Sequence, residues 1–175
     1  LAGGLQNQGA HEMAFEYLQT AVRLNPASAQ AHFALGSCAM QAGNEGQSIL
    51  HLQQAVALEP ELTEAHVQLG VALATQGQLP QAEHHLTAAL RLAPESAVIH
   101  SNLGLVLAKQ GQFSQALEWY SKSLALDANE SSTHYNVGLT LEQLGQHDQA
   151  KAHYLEAVRL AKGHAGALAR LNALQ

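Results

Sequence analysis

Residues 63–96 read TEAHVQLGVALATQGQLPQAEHHLTAALRLAPES, and the pattern returns along the chain in a register of 34 residues. Proline stands at Pro26, Pro60 and Pro94. Glycine keeps the same time in two columns, Gly9, Gly43, Gly77, Gly111 and Gly145, then Gly36, Gly70, Gly104 and Gly138. Leu35, Leu69, Leu103 and Val137 precede the second glycine column, and His32, His66, His100 and His134 form another. A period of this size marks one supersecondary unit stacked on copies of itself. Such arrays serve as binding surfaces, and the repeat alone does not name a ligand.

Each unit reads as two helices, so the class is all-α. His66, Leu69, Gly70 and Leu73 fall at i, i+3, i+4 and i+7, and Ala82, Leu86, Ala89 and Leu90 repeat the helical spacing. Gly77 suits the left-handed residue that ends the first helix. Pro80 suits the first turn of the second, where its missing N–H has no partner to lose. Pro60 and Pro94 close a second helix, since inside one they would cost about 3 kcal/mol. The mid-helix glycines give up about 0.8–1.0 kcal/mol each against Ala, yet apolar periodicity runs on to Met40, Ala74 and Ala108. Close approach by a neighbouring helix explains them, with the small column Ala14, Ser48, Ala82, Ala116 and Ala150 as the facing surface.

The 175 residues are 47 % hydrophobic, which is ample for a core. A net charge of −6, from 14 acidic and 8 basic residues, argues against nucleic acid, which needs a Lys/Arg stripe. No apolar run approaches the roughly 20 residues of a membrane span. Cys38 is the only cysteine, so an intrachain disulfide and a Cys-based zinc site are both excluded. It reads as a small buried hydrophobe. The cytoplasm is the favoured compartment, with the periplasm the alternative if a signal peptide has been removed. Leu1 is not an initiator Met, so a longer native chain is expected.

No chemistry-bearing motif emerges. A Walker-type glycine loop and a G-x-S-x-G elbow are both missing from the sequence, and His11-Glu12 lacks the second His of a zinc-protease helix. Asn129-Glu130-Ser131 matches a glycosylation sequon at the level of chance. The chain is therefore read as no enzyme, with no catalytic residues, no metal and no cofactor. Most of the 11 histidines fall in two columns, His32/66/100/134 and His51/85/153, with Trp119 completing the second. Equivalent residues of stacked units lie about 10 Å apart, whereas zinc needs ligands about 2 Å away, so one column cannot share an ion. The histidines read as packed flat rings, with pH sensing as the second reading.

These columns resemble the tetratricopeptide repeat family, whose pattern W-x2-L-G-x2-Y, A-x3-F, P fills 34 residues. The match runs His66-x2-Leu69-Gly70-x2-Leu73, Ala82-x3-Leu86, Pro94, then His100, Leu103, Gly104, Leu107, Ala116, Tyr120, and then His134, Val137, Gly138, Leu141, Ala150, Tyr154. His replaces the opening aromatic, and Ala128 and Lys162 replace the last prolines. The register divides the chain into a partial repeat at 1–28, full repeats at 29–62, 63–96, 97–130 and 131–164, and a terminal helix at 165–175. That makes eleven helices. The resemblance implies a right-handed superhelix of stacked hairpins, a tetratricopeptide-type α-solenoid.

The resemblance also implies that the first helices line a concave, peptide-binding face. The residues at those positions are Phe33, Met40, Val67, Val71, Leu105, Lys109, Tyr135 and Leu139, with Asn102 and Asn136 in one column. In similar arrays an Asn there hydrogen-bonds the ligand backbone, and a carboxamide both donates and accepts. A clamp for a C-terminal carboxylate needs several Lys and Arg, and Lys109 is the only cation on this strip. The expected function is a non-catalytic scaffold holding a partner peptide or helix. The alternatives are the recognition arm of a larger enzyme, such as a glycosyltransferase, and a self-assembling module that associates through the array ends. No nucleic-acid partner and no membrane insertion are expected.

Overall fold

A computed structural model describes residues 2–174, with side chains described from residue 13 onward. Its helices are α1 (Ala2–Leu24), α2 (Ala29–Gln41), α3 (Glu45–Leu58), α4 (Thr63–Thr75), α5 (Leu79–Leu92), α6 (Ala97–Lys109), α7 (Phe113–Leu126), α8 (Ser131–Gln143), α9 (His147–Leu160) and α10 (Ala165–Ala173). No strand occurs among the described residues. The chain divides into two compact units, Leu1–Leu92 and Ala93–Gln175.

Among the described residues the count is ten, not eleven. The register places a turn at Gly9, but α1 runs through it without a break. A glycine inside a helix costs only about 0.8–1.0 kcal/mol against Ala, so the residue type alone does not force a turn there. At the other four positions of the column the turn forms as the spacing predicts. Gly43, Gly77, Gly111 and Gly145 have φ of 72°, 75°, 79° and 73°. The amide after each glycine donates back to the residue five before it, as in Gln78 N to Leu73 O at 2.9 Å, while Gly77 N donates to Ala74 O at 3.3 Å. This paired closure satisfies carbonyls that a helix end leaves open. Two helix starts of the first unit are capped by side chains: Ser28 Oγ accepts from Ala31 N at 3.1 Å and Asn44 Oδ1 from Gln47 N at 3.3 Å.

In the first unit α2 packs on α3 and α4 on α5 as antiparallel hairpins, with Leu35, Leu52, Leu69, Leu73 and Leu86 fully buried. In the second, α6–α7 and α8–α9 do the same around Leu107, Tyr120, Val137, Leu141 and Tyr154, and α10 closes on α9. The mid-helix glycines sit at these hairpin crossings. A Cβ on Gly70 would lie 2.6 Å from Leu86 Cγ and 3.2 Å from the Ala82 carbonyl; on Gly138 it would lie 2.4 Å from Tyr154 Cε1. Close approach is thus the reason for the glycines. The crowding atoms belong mainly to Leu52, Leu86, Tyr120 and Tyr154, while Ser48, Ala82, Ala116 and Ala150 are fully buried nearby on the same helices.

Candidate functional site

All ten residues expected to face a ligand lie on first helices, Phe33 and Met40 on α2, Val67 and Val71 on α4, Asn102, Leu105 and Lys109 on α6, and Tyr135, Asn136 and Leu139 on α8. Nine are half-buried and Lys109 is exposed. On the same helices Leu35, Leu69, Leu103 and Val137 are no more than 5 % exposed. Each first helix therefore buries one apolar face completely and leaves a second one partly open.

Neighbouring repeats are tied along this second face. In the first unit, Ser37 Oγ lies 2.9 Å from the Phe33 carbonyl and 2.5 Å from Gln68 Oε1, joining α2 to α4. The Phe33 ring packs against Ala55, Leu62 and Ala65, so part of it serves the adjacent repeat. In the second unit, Ser101 Oγ and Thr133 Oγ1 are 2.8 Å apart, joining α6 to α8. Tyr135 rests on Tyr154 and His164, with ring centroids at 5.8 and 4.8 Å, and closes over Gly166, where a Cβ would meet its hydroxyl at 2.9 Å. Leu139 packs on the core of that unit.

A polar contact that sequence reading did not find joins α8 to α9 and α10 in the second unit. The Glu142 side chain is only 7 % exposed and takes Arg170 of α10 at 2.8 Å through Nε and 2.7 Å through Nη2. Tyr154 O–H donates to the same carboxylate oxygen. Burial, then the hydrogen bond to Glu142, holds the Tyr154 hydroxyl well above the ordinary phenol range. Glu142 and Arg170 lie 28 residues apart, beyond any local pattern.

The two histidine columns meet across the hairpins. His32 Nδ1 and His51 Nδ1 are 3.1 Å apart, as are those of His66 and His85 and of His134 and His153. The first ring of each pair also turns Nε2 to a carbonyl of the preceding loop: Pro26 O at 3.2 Å, Pro60 O at 3.1 Å and Ala128 O at 3.2 Å. A carbonyl only accepts, so those Nε2 atoms carry the hydrogen and their Nδ1 atoms accept from the second ring. In the third hairpin Trp119 replaces the second His. There His100 Nδ1 turns to Ser96 O at 2.9 Å, and the ring lies tilted against the indole, with centroids 5.5 Å apart. Lys122 Nζ lies 4.2 Å from that indole centroid. Burial lowers the pKa of His51, His66, His85 and His153, that of His85 to about 4.

Cys38 is half-buried rather than enclosed. Among the described residues no group of three or more His, Cys, Asp or Glu is placed to hold a metal ion. No helix among them is long and apolar enough to cross a membrane.

Sequence profiles described as tetratricopeptide repeat match residues 61–129 and 95–163, and a second such profile matches 5–63. The chain belongs to the tetratricopeptide repeat family. Among solved structures it is similar to MamA residues 41 to the end from Desulfovibrio magneticus RS-1, at 22 % identity and a TM-score of 0.80, covering 91 % of this chain and 90 % of that one. TTC0263, a thermophilic TPR protein of Thermus thermophilus, matches at 24 % identity and 0.77, over 98 % and 93 %. YrrB, reported as a TPR protein with an unusual peptide-binding site, matches at 20 % and 0.77, over 98 % and 88 %. At these identities the likeness speaks for the fold alone. No curated protein sequence matches the chain.

Proposed function

We propose that the chain is a non-catalytic protein-interaction scaffold, without a cofactor, that holds a partner peptide or helix against its first helices. The observation that carries this is the second apolar face: Phe33, Val67, Val71, Leu105 and Leu139 remain half-exposed on helices whose opposite faces are fully buried. An apolar strip left open to solvent on an ordered surface is the usual form of a recognition site. Membership of a family of interaction repeats supports the reading, and so does the similar fold of YrrB with its reported peptide-binding site. The apolar side chains would contribute burial at about 25 cal/mol per Å². Asn102 and Asn136, on successive first helices of one unit, would pair with the ligand backbone and set its register. The favoured compartment remains the cytoplasm.

The test is the double variant Asn102→Ala, Asn136→Ala. It should keep the parent's helical signal and melting temperature, because half-exposed side chains away from the core carry little of the stability. Calorimetry with a partner recovered from the source cell should show binding weaker by about 1–3 kcal/mol, the cost of unmade buried hydrogen bonds. Undiminished binding would remove the asparagines from the account.

A further inference from the structure

The three His–His pairs are the feature that the binding reading leaves unused. Each joins three pieces of chain: the loop before the repeat, through the carbonyl of Pro26, Pro60 or Ala128; the first helix; and the second helix. The neutral pair has one arrangement that satisfies every contact. The first ring donates from Nε2 to the loop, and the second donates from Nδ1 to the first. Adding one proton preserves it. The first ring becomes doubly protonated and donates from Nδ1, and the second moves its hydrogen to Nε2 and accepts. Adding a second proton leaves two N–H groups facing each other at 3.1 Å, and the contact must open.

Chelation of a metal fits less well. The ring centroids stand 5.2–5.3 Å apart for nitrogens 3.1 Å apart, so the rings meet nearly head to head and their lone pairs do not converge on a common point. That is the geometry of a hydrogen bond.

We infer that each His–His pair is a proton-gated staple, closed with no proton or one added and parted by the second, which unfastens the second helix of the hairpin from the first while the first ring keeps its loop carbonyl. The charged neighbours bias the three staples differently. His84, on α5, meets His85 edge-on at 5.3 Å and disfavours further charge there. Glu156, on α9, favours charge on His153. In the pair of α2 and α3, burial and then the charge of His32 disfavour charge on His51. The staple of α4 and α5 is thus the one that takes its second proton last. The hairpin of α6 and α7, with Trp119 in place of the second His, has no such gate and is a control within the same molecule.

The measurement is made on the full chain. Imidazole nitrogen NMR at pH 7.5 should show the Nε2–H tautomer for His32, His66 and His134 and the Nδ1–H tautomer for their partners. On acidification each pair should titrate in two steps, the second at least about 10-fold weaker in proton affinity. Hydrogen exchange between pH 7.5 and 4.5, corrected for intrinsic rates, should accelerate in the hairpins of α2–α3 and α8–α9 before that of α6 and α7. Independent single-step titration of all six rings, or equal acceleration in all four hairpins, would overturn the proposal. Zn²⁺ added at pH 7.5 should leave the imidazole resonances in place. A shift of the three pairs that spares His100 would overturn the proposal in favour of chelation.

Discussion

Gly138 lies under the edge of the Tyr154 ring, and the 2.4 Å left for a Cβ is the tightest of the four hairpin crossings, against 2.8 Å at Gly36. A planar, fully buried ring cannot bend away as an aliphatic side chain can. Gly138→Ala should therefore destabilise the fold by about 1–3 kcal/mol in spite of its better helix propensity. Gly36→Ala, against Leu52, should cost less. Chemical denaturation of the two variants checks the order, and a stabilised Gly138→Ala would show that the crossing has slack. The need for glycine at these positions was legible in the sequence, because a helix breaker inside an unbroken apolar period calls for a neighbour. Which neighbour was not legible: the small column looked like the facing surface, and the structure puts a Leu or Tyr side chain over the glycine instead.

At the scale of the element, each hairpin is one helix pair held by a buried stripe and a ring contact at its side. Burial keeps His85 mainly neutral, with a pKa of about 4, followed by the like charges of His66 and His84. His51, His66 and His153 are lowered as well, burial again leading. Folded values lie below the unfolded value of about 6.5, so the unfolded chain binds more protons in between. Stability is complete above about pH 6.5 and is lost as pH falls toward 4. Melting curves at pH 7.5 and 5.0 should differ by roughly 1–2 kcal/mol after allowance for solvent screening of these part-exposed rings. His85→Trp, which copies the third hairpin, should shrink the difference, and a pH-independent melting point would reject the neutral pairs. The terminal helix offers a second test. Arg170→Ala leaves the Glu142 carboxylate, 7 % exposed, with only Tyr154. A loss of about 1–3 kcal/mol is expected, since the acceptor is buried. Glu142→Gln, which keeps an acceptor without the charge, should lose less.

For the molecule as a whole, repetition made the fold readable. Five coincident columns fix helix, turn and helix in every unit, and the turns at Gly43, Gly77, Gly111 and Gly145 fall where the period puts them. Reading failed where a contact is not local or the repeat is incomplete. The His–His pairs join positions 19 residues apart, and recognising them requires knowing which helix faces meet. The Glu142–Arg170 contact is unique to one repeat. At Gly9 the column is intact but the helix runs on, because a glycine inside a helix costs only about 0.8–1.0 kcal/mol and does not by itself force a turn. The first-helix positions of the candidate site were legible as an apolar strip with an asparagine column. Their division between inter-repeat packing, as for Phe33 and Tyr135, and open surface was not, since both uses call for the same side chains.

The central claim is that a partner lies on the first helices. Photo-crosslinking residues placed singly at Val71 and Leu105 report on the first helices of the first and second unit, and the same residues at Leu50 and Leu155, 49 % and 60 % exposed, report on the second helices of each. Irradiation in the source cell should give partner adducts from a first-helix position, Val71 or Leu105, and none from Leu50 or Leu155. Adducts from the second-helix positions alone would contradict the account and move the binding surface to the opposite side of the hairpins.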